Sequence, residues 1–345
     1  MPDPAYPAAR AAARAVEAHF RRHADVAHVP DSAAIERIVD AAFWASLRRE
    51  EGRAPTISLA YLPPEQAGEA LRFDHRLTLD PAALTRLAPA VERPGIHLGV
   101  WPDNGALYVW GATRVLPPLC FVLEVVEPGL LVIKHRRATG SGKLANVAVL
   151  EGDQIKVIDP ESTFSSDCPD FVNSLLGLDG PTGEGVSVLL QLALSMRAHR
   201  HGGSLLVVPH DTENWRESIL WPVPYVVVPP FRAPIDSVAG LTAVDGATVV
   251  SDEWDVLAFG AKIGRREAKT AVEQVQVMEP IVGYAAEVVH PALLGGTRHL
   301  SATQFVHEQH DALALVASQD GRFTVFAWGE SEEMVLGYRV EALLL

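Results

Sequence analysis

Apolar residues recur along the first fifty positions at the spacing of helices and then, from Thr56 onward, at the spacing of strands. Ile35, Ile38, Val39, Phe43 and Leu47 stand three and four apart behind Asp31-Ser32, an N-cap pair. They predict a helix over residues 33–49 that Glu50-Glu51-Gly52 closes. The Ala- and Arg-rich stretch 8–23 predicts another helix before it. Strand-like runs follow at 56–61, 96–101, 107–111, 120–126, 130–134, 145–150 and 154–158. The hairpin signals Asp103-Asn104-Gly105, Glu127-Pro128-Gly129 and Glu151-Gly152-Asp153 stand between them. Short connections favour antiparallel pairing, so residues 1–160 are expected to form an α+β module, an antiparallel meander with helices.

Pro160, Pro169, Gly177, Gly180, Pro181 and Gly183 break the pattern, and 161–185 reads as a linker with one short helix at 171–176. An apolar run, 186–196, then ends in Arg197, Arg200 and Gly202-Gly203, a helix C-terminus. Strands at 204–208, 225–228, 246–250, 256–260, 312–317 and 323–328 alternate with helices near 235–240 and 299–310. Consecutive apolar strands among helices predict a mixed α/β sheet covered on both faces over 186–345. Residues 264–290, with Arg265, Arg266, Lys269 and His290, make a long connection. It reads as a solvated excursion or as a source of cations.

Composition narrows the function classes. The chain has 345 residues, 48% of them apolar and 21% charged, and a formal net charge of −14. That charge argues against general nucleic-acid binding, which needs a basic excess. A small polyanion would require locally placed cations and metal ions. No apolar run reaches the roughly 18 residues of a membrane span, and the first twenty lack a signal peptide's apolar centre, so no membrane partner and a cytoplasmic location are expected. Cys120 and Cys168 stand in unlike contexts and read as reduced thiols. His199, His201 and His210 are too separated for a zinc site. Glu308 with His307 and His310 reads as a solvated helix face. Thr139-Gly140-Ser141-Gly142-Lys143-Leu144 lacks the first glycine and the hydroxyl of a P-loop and reads as a hairpin turn.

Two clusters carry candidate chemistry. Asp245-Gly246-Ala247 opens an apolar strand, where a carboxylate can reach a metal while a ligand lies against bare backbone. Gly295-Gly296-Thr297-Arg298-His299 leads into a helix, whose N-terminal N–H groups and dipole favour an anion. Arg298 adds a planar charged fork to the same place.

Asp-Gly-Ala followed some fifty residues later by Gly-Thr-Arg-His, a helix and the strand 312–318 resembles the diadenylate cyclase domain, over residues ~180–335. The resemblance implies condensation of two ATP into cyclic di-AMP and two pyrophosphates, with Mg²⁺ or Mn²⁺, at a site between two subunits of a face-to-face dimer. It assigns Asp245 to the metal and the 3′-hydroxyl, and Gly246 and Ala247 to the nucleoside. It assigns Gly296, Thr297, Arg298, His299, Ser301 and Ser318 to the phosphates. Residues 1–160 resemble the sensor modules that precede some such domains and read equally as a dimerisation scaffold. Two positions depart from the pattern: Leu300 replaces an expected Arg, and Gln319 replaces an Arg or Glu. Each removes a cation or partner from the phosphates, which makes a nucleotide sensor without turnover the alternative.

Overall fold

The computed structural model describes residues 5–22, 28–137, 144–159, 168–176, 184–228, 231–266 and 270–345. The chain divides into two compact units, residues 1–159 with Leu345, and residues 160–344. Each is a mixed α/β structure built on one mixed sheet.

The first unit runs α1 (Pro7–Arg21), α2 (Ser32–Ser46), β1 (Ile57–Tyr61), β2 (Leu71–Thr78), α3 (Pro81–Leu87), β3 (His97–Asp103), β4 (Ala106–Thr113), β5 (Phe121–Glu127), β6 (Leu130–Arg136), β7 (Leu144–Glu151) and β8 (Gln154–Val157). The sheet order is β2-β4-β3-β1-β5-β6-β7-β8. Asp31 starts α2 by accepting a hydrogen bond from the Ala34 N–H at 2.7 Å. Ile35, Ile38, Val39, Ala42 and Ala45 then bury one helical stripe against Ile57, Leu59, Phe121 and Leu123 of the sheet. Leu47, expected on that stripe, lies past the helix end and is 48% exposed. The opposite face of the sheet gathers Ala60, Leu62, Trp110, Leu116, Cys120 and Val122.

The expected antiparallel meander needs one correction, because β1 and β3 pair in parallel. The chain between them carries β2 and α3, a connection long enough for a crossover. β2 escaped sequence reading because nearly all of it is exposed, so its alternation has no buried side to report. The hexapeptide 139–144 falls on residues outside those described, apart from Leu144, which opens β7.

The second unit runs α4 (Asp170–Leu176), α5 (Glu184–Ala198), β9 (Gly203–Val208), β10 (Tyr225–Val226), α6 (Ile235–Leu241), β11 (Ala247–Ser251), β12 (Val256–Ala261), β13 (Val275–Met278), β14 (Glu287–Val289), α7 (Thr297–Glu308), β15 (Leu313–Ala317), β16 (Phe323–Gly329) and β17 (Met334–Arg339). The sheet order is β10-β12-β11-β9-β15-β16-β17-β13-β14, with β9/β11 and β13/β17 parallel and the other neighbours antiparallel. Alternation along β9 sends Leu205 and Val207 to a core with α4, α5 and α6. It sends Leu206 and Val208 to a second core with Ala302, Phe305 and Val306 of α7 and with Trp215 and Ile219. Both faces of the sheet are therefore covered, and the strands read as continuous apolar runs. Apart from α4 and the first residues of α5, the linker expected over 161–185 falls largely outside the described residues.

Among the described residues of 264–290, the stretch 275–280 is largely buried rather than solvated, while most of 281–290 is exposed. Val275 and Val277 are 0% and 1% exposed, and β13 pairs with β17 on one side and β14 on the other. The Arg266 guanidinium, expected as a source of phosphate-binding charge, instead lies 3.3 Å from Glu217, and the residue's backbone N–H donates to Glu308. Lys269 lies outside the described residues. Glu308 itself is buried rather than solvated: it accepts from the Ser218 hydroxyl at 2.8 Å and the Gln304 amide at 2.7 Å. His310 stacks on Trp328 at 3.7 Å between ring centres. Among the described residues no helix is long and apolar enough to cross a membrane.

Candidate functional site

One end of the second sheet collects the residues that sequence reasoning singled out. β11 runs parallel to β9 with Thr248 opposite Leu205, and continuing that register back three residues brings Asp245 level with Gly202. β15 lies on the other side of β9 with Ala317 opposite Gly203, so Ser318 and Gln319 leave the sheet at the same end. Neighbouring strands stand roughly 4.8 Å apart, so groups on these three adjacent strand ends lie within the span of one triphosphate.

Asp245 projects into solvent, with 92% of its side chain exposed, and its Oδ1 lies 2.6 Å from the Lys262 ammonium. Lys262 directly follows β12, and Ala261 pairs with Ala247, so the two charges face each other across the base of the β11–β12 hairpin. The hydrogen bond and charge of Lys262 hold the Asp245 carboxyl below its ordinary range, with a smaller contribution from Arg298. Gly246 is required beside it. Its φ is +120°, and a Cβ there would stand 2.5 Å from the Gly260 carbonyl carbon. Ala247 is buried as the first residue of β11.

Arg298 arrives from α7. A Cβ placed on Gly202 would meet its Nη1 at 2.7 Å and the Gln319 Cγ at 3.3 Å, so the guanidinium lies across the bare backbone of Gly202 beside Gln319. The helix begins at Thr297 behind Gly296, which supplies no side-chain cap and has open space where a Cβ would stand. His299 is placed differently from the expectation that it contacts phosphate. It is 3% exposed, its ring fills the space beneath Gly295, and it packs edge-on to Phe326 with centres 6.1 Å apart. Burial pushes its pKa down, and its Nε2 has no hydrogen-bond partner among the described residues. Ser301 is half-buried one turn into the helix. The Ser318 hydroxyl bonds to Asp320; burial alone would raise that carboxyl, but the bond, the Arg322 N–H and the Arg322 charge hold it down.

Sequence reasoning missed Lys262 and the second role of Gly202. Residue 245 stands two positions before β11 and 262 one position after β12, and that hairpin spacing was the available signal for the ion pair. Nothing in the sequence marks Gly202 as the seat of a guanidinium 96 positions away. No group of three His, Cys, Asp or Glu that could hold a metal ion occurs among the described residues. Asp245 thus offers one carboxylate, which suits a Mg²⁺-type ion only if it arrives with phosphate oxygens of its own.

Residues 24–114 match the family described as the probable sensor domain DACNV, a region that lies within the first unit. Among solved structures, the chain is similar to a hypothetical membrane spanning protein from Bacillus cereus. The identity is 17% and the TM-score 0.30, over 45% of this chain and 65% of that one. It is also similar to a double mutant of DacA from Staphylococcus aureus, at 14% identity and a TM-score of 0.23, over 41% of this chain and 80% of that one. The chain thus spans under two thirds of the first of these. Likenesses this slight carry no argument about the site. No curated protein matches the chain.

Proposed function

We propose that the second unit is a diadenylate cyclase-type nucleotidyltransferase and that the first unit is its sensor. The observation that carries this reading is the convergence of Asp245 and Arg298 on one sheet end: Asp245 precedes β11 beside β9, and Arg298 reaches over Gly202 from α7. In the reaction the 3′-hydroxyl of one ATP attacks the α-phosphorus of the other. A P–O bond forms, the bond to the β-phosphate breaks, pyrophosphate leaves, and the hydroxyl proton passes towards the Asp245 carboxylate; the second ring closure repeats the step. Gly246 and Ala247 lie against the nucleoside, while Gly296, Thr297 and Arg298 contact phosphates, with Ser301 and Ser318 beside them. His299, buried beneath Gly295, supports the loop from below. A divalent ion, Mg²⁺ or Mn²⁺, brought in by the triphosphate would neutralise charge at Asp245. Two such sites meet in a face-to-face dimer. The match of residues 24–114 to a probable sensor domain supports a regulatory role for the first unit.

Incubation of the protein with ATP and Mn²⁺ or Mg²⁺, followed by chromatographic resolution of products, tests the reading. Cyclic di-AMP from the natural chain and none from D245N is expected; absence of any cyclic dinucleotide with either metal ends the catalytic claim. A second reading, nucleotide sensing without turnover, is favoured by the 2.6 Å contact of Lys262 with Asp245, since the ammonium competes for the carboxylate.

A further inference from the structure

The charges at this sheet end are arranged for an anion before any metal arrives. Asp245 is flanked by two cations: Lys262 at 2.6 Å on the β12 side, and Arg298 over Gly202 on the β9 side. One carboxylate between an ammonium and a guanidinium leaves a local excess of one positive charge, in a chain whose formal net charge is −14. Lys262 is fixed at this place by its backbone. Its carbonyl accepts from the Leu220 N–H at 2.8 Å, and the preceding Ala261 is buried in register with Ala247. Its side chain is half-exposed on a flexible four-carbon stem, with its ammonium on Asp245. An ion pair this exposed contributes little to holding the fold, so stability does not explain it.

We propose that Lys262 is the resident counter-ion of Asp245 and the cation that hands over to an incoming nucleoside triphosphate, so that the site binds that ligand without a divalent ion. The inference rests on the triphosphate site proposed above and adds to it a residue and an order of events. Polyphosphate enters between Lys262 and Arg298, the ammonium swings from carboxylate to phosphate, and Asp245 is left open to a metal that the phosphates share.

Calorimetry of the full chain with ATP in EDTA, and again in Mg²⁺, tests it. The natural chain is expected to bind in EDTA within about threefold of its Mg²⁺ affinity. K262M loses about tenfold in EDTA, the worth of one charge-assisted contact, and K262R retains binding. Equal binding of K262M and the natural chain in EDTA overturns the proposal, as does a natural chain that binds only with metal; cyclic product formation would leave the cyclase reading standing in either case. Lys262-dependent binding without product upholds the proposal and removes the cyclase reading alone. No ATP binding in either buffer overturns both.

Discussion

At Gly202 the lack of a side chain decides where a cation lies. The nearest atoms to an added Cβ are the far end of Arg298, at 2.7 Å, and the Gln319 chain, so G202A displaces the guanidinium without forcing the backbone. Its melting temperature is expected to stay close to the natural one, while ATP affinity by calorimetry falls about fivefold or more, the cost of weakening one charged contact. Unchanged affinity would remove Arg298 from the site. His299 makes a different statement. Burial lowers its pKa, so between the folded value and about 6.5 the unfolded chain binds a proton that the folded chain refuses. This contribution is complete above about pH 6.5 and is lost as pH falls through the folded value. Melting of the natural chain at about pH 7.5 and about pH 5.5 should show a larger drop than melting of H299Q, which has no such proton to bind.

At the scale of elements, α7 shows how one helix serves two ends differently. Its N-terminus, opened by Gly296, is turned to the candidate site, and its C-terminus is anchored by the buried Glu308. That carboxylate holds Ser218, the Arg266 N–H and Gln304 together, so a helix face that reads as polar in sequence is a buried network. E308A strands those donors and is expected to destabilise the second unit by about 3 kcal/mol in denaturant unfolding. H310A, which loses a stack on Trp328 and one exposed hydrogen bond to the His307 carbonyl, should cost about 1 kcal/mol or less. Equal effects would contradict the network. β13 carries the same lesson, since the segment around it reads as loop until a sheet edge is present to pair with it.

At the scale of the whole molecule, the proposed face-to-face dimer predicts that activity is lost on dilution. Specific activity of the natural chain, measured over a concentration series spanning the dimer dissociation constant, is expected to rise with protein concentration and then level; a flat profile down to monomer would mean that each subunit works alone. Much of the fold was legible in the sequence, because period-two apolar runs such as Leu205–Val208 and helical stripes such as Ile35–Ala45 are properties of local spacing. The site was legible only as two separate clusters. The sequence by itself determined that Asp245-Gly246 leads into a strand and that Arg298 enters a helix behind two glycines, since both follow from neighbours a few positions away. Only the tertiary structure decided that β9 carries Gly202 to a place between them, that Lys262 faces Asp245, and that His299 and Glu308 turn inward. Those are facts of strand order and register between residues up to a hundred positions apart, and no local pattern encodes which strands will lie side by side.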